Sequence, residues 1–338
     1  MAVVNLATFQ MTASIPVAPE PMQVLARPGA QELFVLSRSG TVSVIGYPTL
    51  RVNASIDIGS PAANLVISGD GRLAAASVAR GEIALIDCAS RRIQGRVKSG
   101  GDISALAFSP NGRLLIAADS AHDRLLFLDA ASRTISGVTQ VGKAPGPIVI
   151  LPDGSKLFVA DTGEPKITAV DLTTRQVLSD IDLASRPVAL ALKTDGGELI
   201  ALCPESSTLV ILDTFHDDVE SEMPTGSGPL AALTTRDSNR LFVANRDDGT
   251  VEAIDLQNRS QTGSVLSTRA GIDPSALALT PDERFLAVAD SAGSSLAVLA
   301  TAPISAKSTK VPSVPLPLVT TISVGAQPVD VVIPNWLQ

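Results

Sequence analysis

Two columns of residues recur along the chain at a nearly constant interval, and this periodicity constrains the fold more than any other feature. The first column closes an apolar run and contains Ser37, Ser77, Asp119, Asp161, Cys203, Asn245 and Asp290. Its intervals are 40, 42, 42, 42, 42 and 45 residues. The second closes the next apolar run at Gly46, Asp87, Asp129, Asp171, Asp213, Asp255 and Ala300, with intervals of 41, 42, 42, 42, 42 and 45. The chain therefore contains seven related units.

The clearest unit, residues 103–142, reads as four short strands separated by turns. The predicted strands are Ile103–Phe108, Leu114–Asp119, Leu125–Asp129 and Thr134–Val141. The sequences between them, such as Ser-Pro-Asn-Gly, are typical of tight turns. No apolar run reaches the roughly 10 residues that a helix needs, and Gly or Pro interrupts the pattern too often. Each unit is therefore predicted to be a four-stranded antiparallel meander.

Four strands per unit and a period of about 40–45 residues are typical of β-propeller blades. Because one blade cannot cover its own apolar faces, neighbouring blades must stack on each other. We predict an all-β fold, a seven-bladed β-propeller of four-stranded antiparallel blades, with residues 1–338 forming a single domain. The predicted blades are approximately 22–58, 61–99, 102–141, 145–183, 186–224, 229–268 and 273–300.

The seventh blade needs a fourth strand from elsewhere, and each end of the chain offers one. Residues 7–15 and residues 319–324 both resemble the fourth strands of the other units. A strand from the N-terminus would join the two chain ends in one sheet, which would tie a repeat array shut. We therefore expect residues 7–15 to complete blade seven, with residues 319–324 as the alternative.

Two segments show the repeat most fully, LPDGSKLFVADT (151–162) and RDSNRLFVANR (236–246). Their turn followed by a Leu-Phe-Val-Ala-Asp/Asn strand resembles the YVTN-type repeats of YncE-like and surface-layer β-propeller proteins, and the likeness extends over roughly residues 15–300. The resemblance implies a propeller fold, a binding or scaffold role, and a periplasmic or extracellular location. It assigns no chemistry, because the repeat motif encodes packing.

Composition narrows the choice of partner. The net charge of −8 and the pI near 4.9 argue against nucleic acid, which proteins bind mainly through Lys and Arg. Single-stranded nucleic acid stays open only because YncE-like proteins have been linked to DNA. No apolar run reaches 18 residues, so the sequence predicts no membrane span. The N-terminal residues lack the basic start and the cleavage site of a signal peptide.

Binding is expected at one end of the blades. We call the end with the second-to-third-strand loops and the inter-blade turns the variable end, and the end with the repeated Pro-Asp-Gly and Asp-x-x-Ser-Arg turns the constant end. Variable loops on a fixed scaffold are where binding usually resides. The candidate ligand-binding residues at the variable end are Asp119, His122, Lys143, Asp161, Arg186, Asn245, Arg246 and Asp290.

Other polar residues have structural interpretations. The Asp residues of the second column are expected to accept backbone N–H groups and so fix the turns that follow them. His122 and His216 are predicted at opposite ends of their blades, so they cannot share a metal. Cys88 and Cys203 fall in different columns and are predicted to be free thiols. The sequence predicts no catalytic residue, cofactor or metal site.

The favoured function is a non-enzymatic binding or scaffold module that holds a protein or a small polar ligand at the variable end. One alternative is a propeller enzyme of the lactonase or dehydrogenase type, which would need a convergent metal or acid–base set near the first column. Binding of single-stranded nucleic acid is the third hypothesis, by family analogy alone.

Overall fold

The computed structural model describes residues 1–257, 266–301, 316–325 and 327–334. Within these ranges every regular element is a β-strand except one short 3-10 turn, Ala79–Gly81. The strands form seven four-stranded antiparallel sheets and one two-stranded hairpin, and the sheets are the blades of a β-propeller. This confirms the predicted fold class. No helix among the described residues is long and apolar enough to cross a membrane.

The chain divides into two compact units. The first contains Met1 and Ile15–Val188 and carries blades one to four. The second contains Ala2–Ser14 and the described residues from Ala189 onwards, and it carries the hairpin and blades five to seven.

In the first unit the sixteen strands follow the chain in order, four to a blade. Blade one contains β3 (Pro21–Ala26), β4 (Glu32–Ser37), β5 (Thr41–Gly46) and β6 (Arg51–Asp57). Blade two contains β7 (Ala62–Ile67), β8 (Leu73–Val78), β9 (Glu82–Asp87) and β10 (Arg92–Lys98). Blade three contains β11 (Ile103–Phe108), β12 (Leu114–Asp119), β13 (Arg124–Asp129) and β14 (Thr134–Gln140). Blade four contains β15 (Pro145–Ile150), β16 (Lys156–Asp161), β17 (Lys166–Asp171) and β18 (Val177–Asp182).

In the second unit the hairpin pairs β1 (Ala2–Asn5) with β2 (Gln10–Ser14). Blade five contains β19 (Ala189–Leu192), β20 (Glu198–Cys203), β21 (Thr208–Asp213) and β22 (Asp218–Pro224). Blade six contains β23 (Pro229–Thr234), β24 (Arg240–Asn245), β25 (Thr250–Asp255) and β26 (Leu266–Arg269). Blade seven contains β27 (Pro274–Leu279), β28 (Phe285–Asp290), β29 (Ser295–Ala300) and β30 (Leu318–Ser323).

The second and third strands of each blade form its most regular part. In blade three they pair without interruption from Leu114 opposite Asp129 to Asp119 opposite Arg124. Their side chains are buried on both faces, because a neighbouring blade covers each face. Phe127 of blade three, for example, packs with Leu157 and Val159 of blade four. The continuous apolar runs in the sequence reflect this two-sided burial.

The constant-end turns bear out the structural interpretation of the second column. Asp129 Oδ1 accepts hydrogen bonds from the backbone N–H of Ala131 at 3.1 Å and of Ser132 at 2.7 Å. The turn closes with Arg133 in the left-handed region, at φ 60°. The same capping by an Asp side chain recurs at Asp87, Asp171, Asp213 and Asp255.

The Arg that ends a turn also fastens neighbouring blades of the first unit together. Arg175 donates a hydrogen bond to the backbone carbonyl of Ser136 in the preceding blade, and its guanidinium lies over the ring of Phe127. Arg133 donates in the same way to Gln94. A Cβ at Gly137 would collide with Arg175, so the glycine in the outer strand makes room for the Arg of the next blade.

The expectation that residues 7–15 complete blade seven is wrong. The fourth strand is β30, which pairs antiparallel with β29, Leu296 lying opposite Ile322. The N-terminal strand instead pairs with Ala2–Asn5 in a hairpin of its own. The hairpin lies against β30, and Phe9 meets Phe285 edge to face with ring centroids 5.5 Å apart.

Candidate functional site

The first column of the repeat is buried at the variable end of every blade. All seven of its members are nearly inaccessible to solvent, and four of them carry a carboxyl or carboxamide group. Buried groups of this kind need hydrogen-bond partners. Their partners therefore decide which members serve the fold and which remain available for function.

Asp119 in blade three serves the fold. Its Oδ1 accepts the backbone N–H of Asp102, in the inter-blade turn, at 3.1 Å. Its Oδ2 accepts from Nε of Arg124 at 2.8 Å and lies 2.9 Å from Nδ1 of His122. Burial alone would raise the pKa of Asp119, but the Arg124 and His122 bonds hold the pKa below its ordinary value. Asp119 is thus a fully bonded anion that orders the loops.

Asp290 has the same role in blade seven. Its Oδ1 accepts three backbone N–H groups, from Ile272 at 3.1 Å, Asp273 at 2.9 Å and Gly293 at 3.0 Å. Oγ of Ser295 donates to Oδ2 at 3.1 Å. Burial opposes ionisation, yet these donors hold the pKa of Asp290 below its ordinary value. In both residues the carboxyl oxygens are hydrogen-bonded by groups of the fold itself.

Asp161 in blade four differs from both. Its Oδ2 accepts a hydrogen bond from Oγ1 of Thr168 at 2.7 Å, whereas its Oδ1 is buried and has no hydrogen-bond partner among the described residues. Burial raises the pKa of this carboxyl to about 7, with a further increase from Glu164. A carboxyl with a near-neutral pKa at a loop-bearing end marks a candidate functional site.

Glu164 explains why Asp161 has so few partners. In blades three and seven the first-column Asp accepts an N–H of the inter-blade turn, but in blade four Oε1 of Glu164 accepts the N–H of Lys143 at 3.0 Å. A Cβ at Gly142 would collide with both carboxylates, so Asp161 and Glu164 lie against the same Cα. Glu164 thus replaces Asp161 in holding the turn.

The turn at Lys143 is interlocked with the loops on either side of it. The N–H of Ala144 donates to Oδ1 of Asp123 at 2.8 Å, and the carbonyl of Ala144 accepts from Oγ1 of Thr162 at 2.7 Å. The N–H of Gly163 donates to the carbonyl of Lys143 at 3.0 Å. The backbone around Lys143 is therefore fixed, while the side chain is exposed to solvent.

The remaining exposed candidates surround the variable ends of their own units. In the first unit the His122 side chain is 47% exposed beside Asp119, and Arg186 is exposed in the turn that leads to blade five. In the second unit Arg246 is half exposed, with its Nε 3.4 Å from Oδ1 of Asp247. All three side chains are accessible to a partner from solvent.

Asn245 belongs to a buried polar cluster in blade six that the sequence analysis missed. Its Nδ2 donates to Oγ1 of Thr250 at 3.2 Å, and Glu252 is buried on the neighbouring strand. Oε1 of Glu252 accepts the N–H of Gly226 at 2.7 Å, and burial raises the pKa of this carboxyl. Glu252 lies within an apolar strand, as Thr168 does in blade four, and that break in the pattern was the available signal.

A cavity of about 430 Å³ lies within the first unit, between the first strands of blades one to three. Its walls are mainly apolar and include Leu25, Leu65 and Phe108. The volume is in the range of small-molecule pockets. Its polar groups serve the fold, because Gln23 accepts the N–H of Leu65 and Ser109 donates to Asn111. None of the residues predicted from the sequence lines this cavity.

The described part of the chain contains no group of three or more His, Cys, Asp or Glu side chains placed to hold a metal ion. Each histidine is hydrogen-bonded through Nδ1 to an Asp of its own blade, His122 to Asp119 and His216 to Asp213. Cys88 and Cys203 are buried free thiols, and burial raises the pKa of Cys88 to about 12.

Comparison with solved structures supports the fold. The hydrazine synthase of Kuenenia stuttgartiensis is similar with a TM-score of 0.68 and 16% identity, over 86% of this chain and 98% of that one. The dihydro-heme d1 dehydrogenase NirN in complex with DHE is similar with a TM-score of 0.79 and 15% identity, over 96% of this chain and 71% of that one. Neither family models nor curated protein sequences give a match.

Proposed function

We propose that this protein is a non-enzymatic binding module of the YncE-like kind, and that it holds the anionic part of a protein segment or small polar ligand at its variable end. The observation that carries the proposal is the turn at Lys143. Its backbone is fixed by Glu164 and Asp123, and its ammonium group is exposed. Because the loop is already ordered, binding through Lys143 requires no further ordering of its backbone.

The charge of the exposed candidates indicates the chemistry of the ligand. Lys143, Arg186 and Arg246 are cationic, and His122 is a further hydrogen-bonding group. Arg124 offsets the charge of Asp119, whereas Asp290 is hydrogen-bonded by uncharged donors and keeps its negative charge. Carboxylates of an acidic peptide match such cationic side chains. Each cationic contact is expected to contribute mainly to the association rate and to specificity.

The test is a binding titration at low salt with three fluorescent probes: an oligoglutamate peptide, a Gly-Ser peptide of equal length, and oligo(dT). We expect the oligoglutamate peptide to bind and Lys143→Glu to weaken binding severalfold. Arg113→Glu, the same charge change on an exposed constant-end turn, is the matched control and should bind normally.

Equal losses in the two variants would contradict the assignment of the binding end. Preferential binding of oligo(dT) would instead favour the hypothesis of single-stranded nucleic acid. If none of the probes binds, the proposal of an anionic ligand fails.

An enzyme of the lactonase or dehydrogenase type is the second candidate. The specific observation in its favour is Asp161, because a carboxyl with a pKa of about 7 can act as a general acid or base near neutral pH. Both similar structures also carry enzyme names. A panel of lactones and alcohols, assayed with and without Ca²⁺ and NAD, tests this candidate. Turnover that Asp161→Asn abolishes would support it.

A further inference from the structure

We propose that Glu164 positions the Lys143 turn and that protonation of Asp161 regulates this positioning, so that the turn is held in acid and loosens as the pH rises above neutral. The inference rests on the proposed function, because it concerns the regulation of the same binding turn. Glu164 acts through the backbone and has no direct contact with a ligand, so it is a positioning residue.

The geometry at Gly142 couples the two carboxyl groups. Glu164 accepts the N–H of Lys143, and the carboxyl groups of Asp161 and Glu164 both press against the Cα of Gly142. The absence of a Cβ allows this approach. The charge of the Asp161 carboxyl therefore directly affects Glu164, the acceptor that fixes the turn.

Two carboxylates and one ammonium group lie around Asp161, so negative charge is in excess. The loop after β16 contributes Glu164, β17 contributes Lys166, and β18 contributes Asp180. Lys166 Nζ is 3.9 Å from Oε1 of Glu164 and 3.8 Å from Oδ2 of Asp180, so one ammonium group is shared by two carboxylates. On the side of the inter-blade turn, the Lys143 side chain is exposed, and Asp123 accepts the N–H of Ala144. One cation cannot also balance a third anion.

The unpartnered oxygen shows that the ionised form of Asp161 is poorly supported. Only Thr168 donates to this carboxyl, and Oδ1 has no donor among the described residues. An anion with one donor in a buried site is disfavoured relative to the neutral acid. At the same position Asp119 and Asp290 have the donors that Asp161 lacks.

The direction of the pH effect follows. Burial raises the pKa of Asp161 to about 7, so the group is neutral in the folded protein at acidic pH and becomes an anion above neutrality. The new anion repels Glu164 across Gly142, in a partly dry site where charges interact strongly. Displacement of Glu164 leaves the N–H of Lys143 without its acceptor. The turn then opens more often.

Hydrogen–deuterium exchange of the turn tests the inference without any ligand. Protection of the amides in residues 142–144 is measured in the intact protein at about pH 6 and about pH 8 and corrected for intrinsic exchange. We expect protection to fall on the order of tenfold over this interval in the wild type. In Asp161→Asn, which places the Asn of blade six in blade four, protection should stay high at both pH values.

Two substitutions at Glu164 test its role as the acceptor of the turn N–H. Glu164→Gln retains an acceptor oxygen without a charge, so it should keep the turn protected and remove the pH dependence. Glu164→Ala should lose protection at both pH values. If the wild type shows no change with pH, or if Asp161→Asn shows the same change as the wild type, the inference is overturned. Because no ligand is present, failure of the oligoglutamate experiment would not alter either result.

Discussion

Asp161 and Thr168 are diagonal neighbours on the second and third strands of blade four, joined by a hydrogen bond of 2.7 Å from Oγ1 of Thr168 to Oδ2 of Asp161. This is the only hydrogen bond that the described residues give to the Asp161 carboxyl, whose other oxygen is buried and unpartnered. The remaining aspartates of the same column are held by the inter-blade turns. Blade four therefore carries a carboxyl that the fold does not use.

Replacement of Asp161 by Asn should stabilise the protein at alkaline pH. The folded-state pKa is raised, so the folded protein binds the extra proton and the free energy of unfolding falls as the pH rises from about 4 to about 7. Asp161→Asn removes that loss, and we expect a gain of about 1–3 kcal/mol near pH 8 and little change near pH 5. Urea unfolding at the two pH values measures the difference. A variant that is less stable than the wild type near pH 8 would contradict the assignment.

Asp290→Asn should show the opposite sign. The folded-state pKa of Asp290 is lowered, so its stabilising effect is present above the ordinary pKa of an aspartic acid and is lost as the pH falls below it. With three backbone donors left facing an amide, we expect a loss of about 2–4 kcal/mol near pH 7. The same urea experiment provides the comparison. Equal effects of the two substitutions would show that the column acts uniformly.

The hydrogen bond from Arg175 to the carbonyl of Ser136 predicts that substitutions at Gly137 and Arg175 have non-additive effects on stability. Gly137→Ala should cost about 1–2 kcal/mol, because the new Cβ displaces Arg175 from its carbonyl partner. In an Arg175→Ala background the same glycine substitution should cost much less, because there is no side chain to displace. A double-mutant cycle by thermal unfolding measures the coupling. If the losses of stability are additive, the contact of Arg175 does not depend on the space at Gly137.

Because β30 completes blade seven, substitutions in β30 should destabilise the protein more than substitutions in the N-terminal hairpin. Ile322 is buried in β30, so Ile322→Ala should cost about 2–4 kcal/mol. Met11 lies on the hairpin with 46% of its surface exposed, and Met11→Ala should change stability by less than about 0.5 kcal/mol. If Met11→Ala cost more stability than Ile322→Ala, the N-terminal strand and not β30 would be the closing strand.

Most of the fold could be predicted from the sequence because the repeat fixes strand ends through side-chain chemistry. Asp129 both ends its strand and caps the next turn, so its column located the strand ends without any homologue. The closing strand could not be predicted in the same way. Residues 7–15 and 319–324 carry similar alternation, and the former are excluded because β30 occupies the outer edge of β29.

The repeat located the column residues at or next to the ends of the second strands, but it did not reveal how their chemistry differs. Asp119 and Asp161 are the same residue at the same repeat position, yet the first is a bonded anion and the second has a pKa of about 7. The difference arises from Glu164, three residues after Asp161, which accepts the turn N–H in its place. The column pattern alone cannot show whether Asp161 or Glu164 accepts the hydrogen bond from the backbone N–H of the turn.

Blade four carries a carboxyl group, that of Asp161, with little support from the fold, and the titration of this group is the most direct test. Carboxyl carbon-13 NMR, with Asp161→Asn and Asp290→Asn to assign the two resonances, gives the midpoint of each group in the folded protein. We predict a midpoint of about 7 for Asp161 and a midpoint below the ordinary aspartic acid value for Asp290. A midpoint for Asp161 at or below that ordinary value would contradict the account.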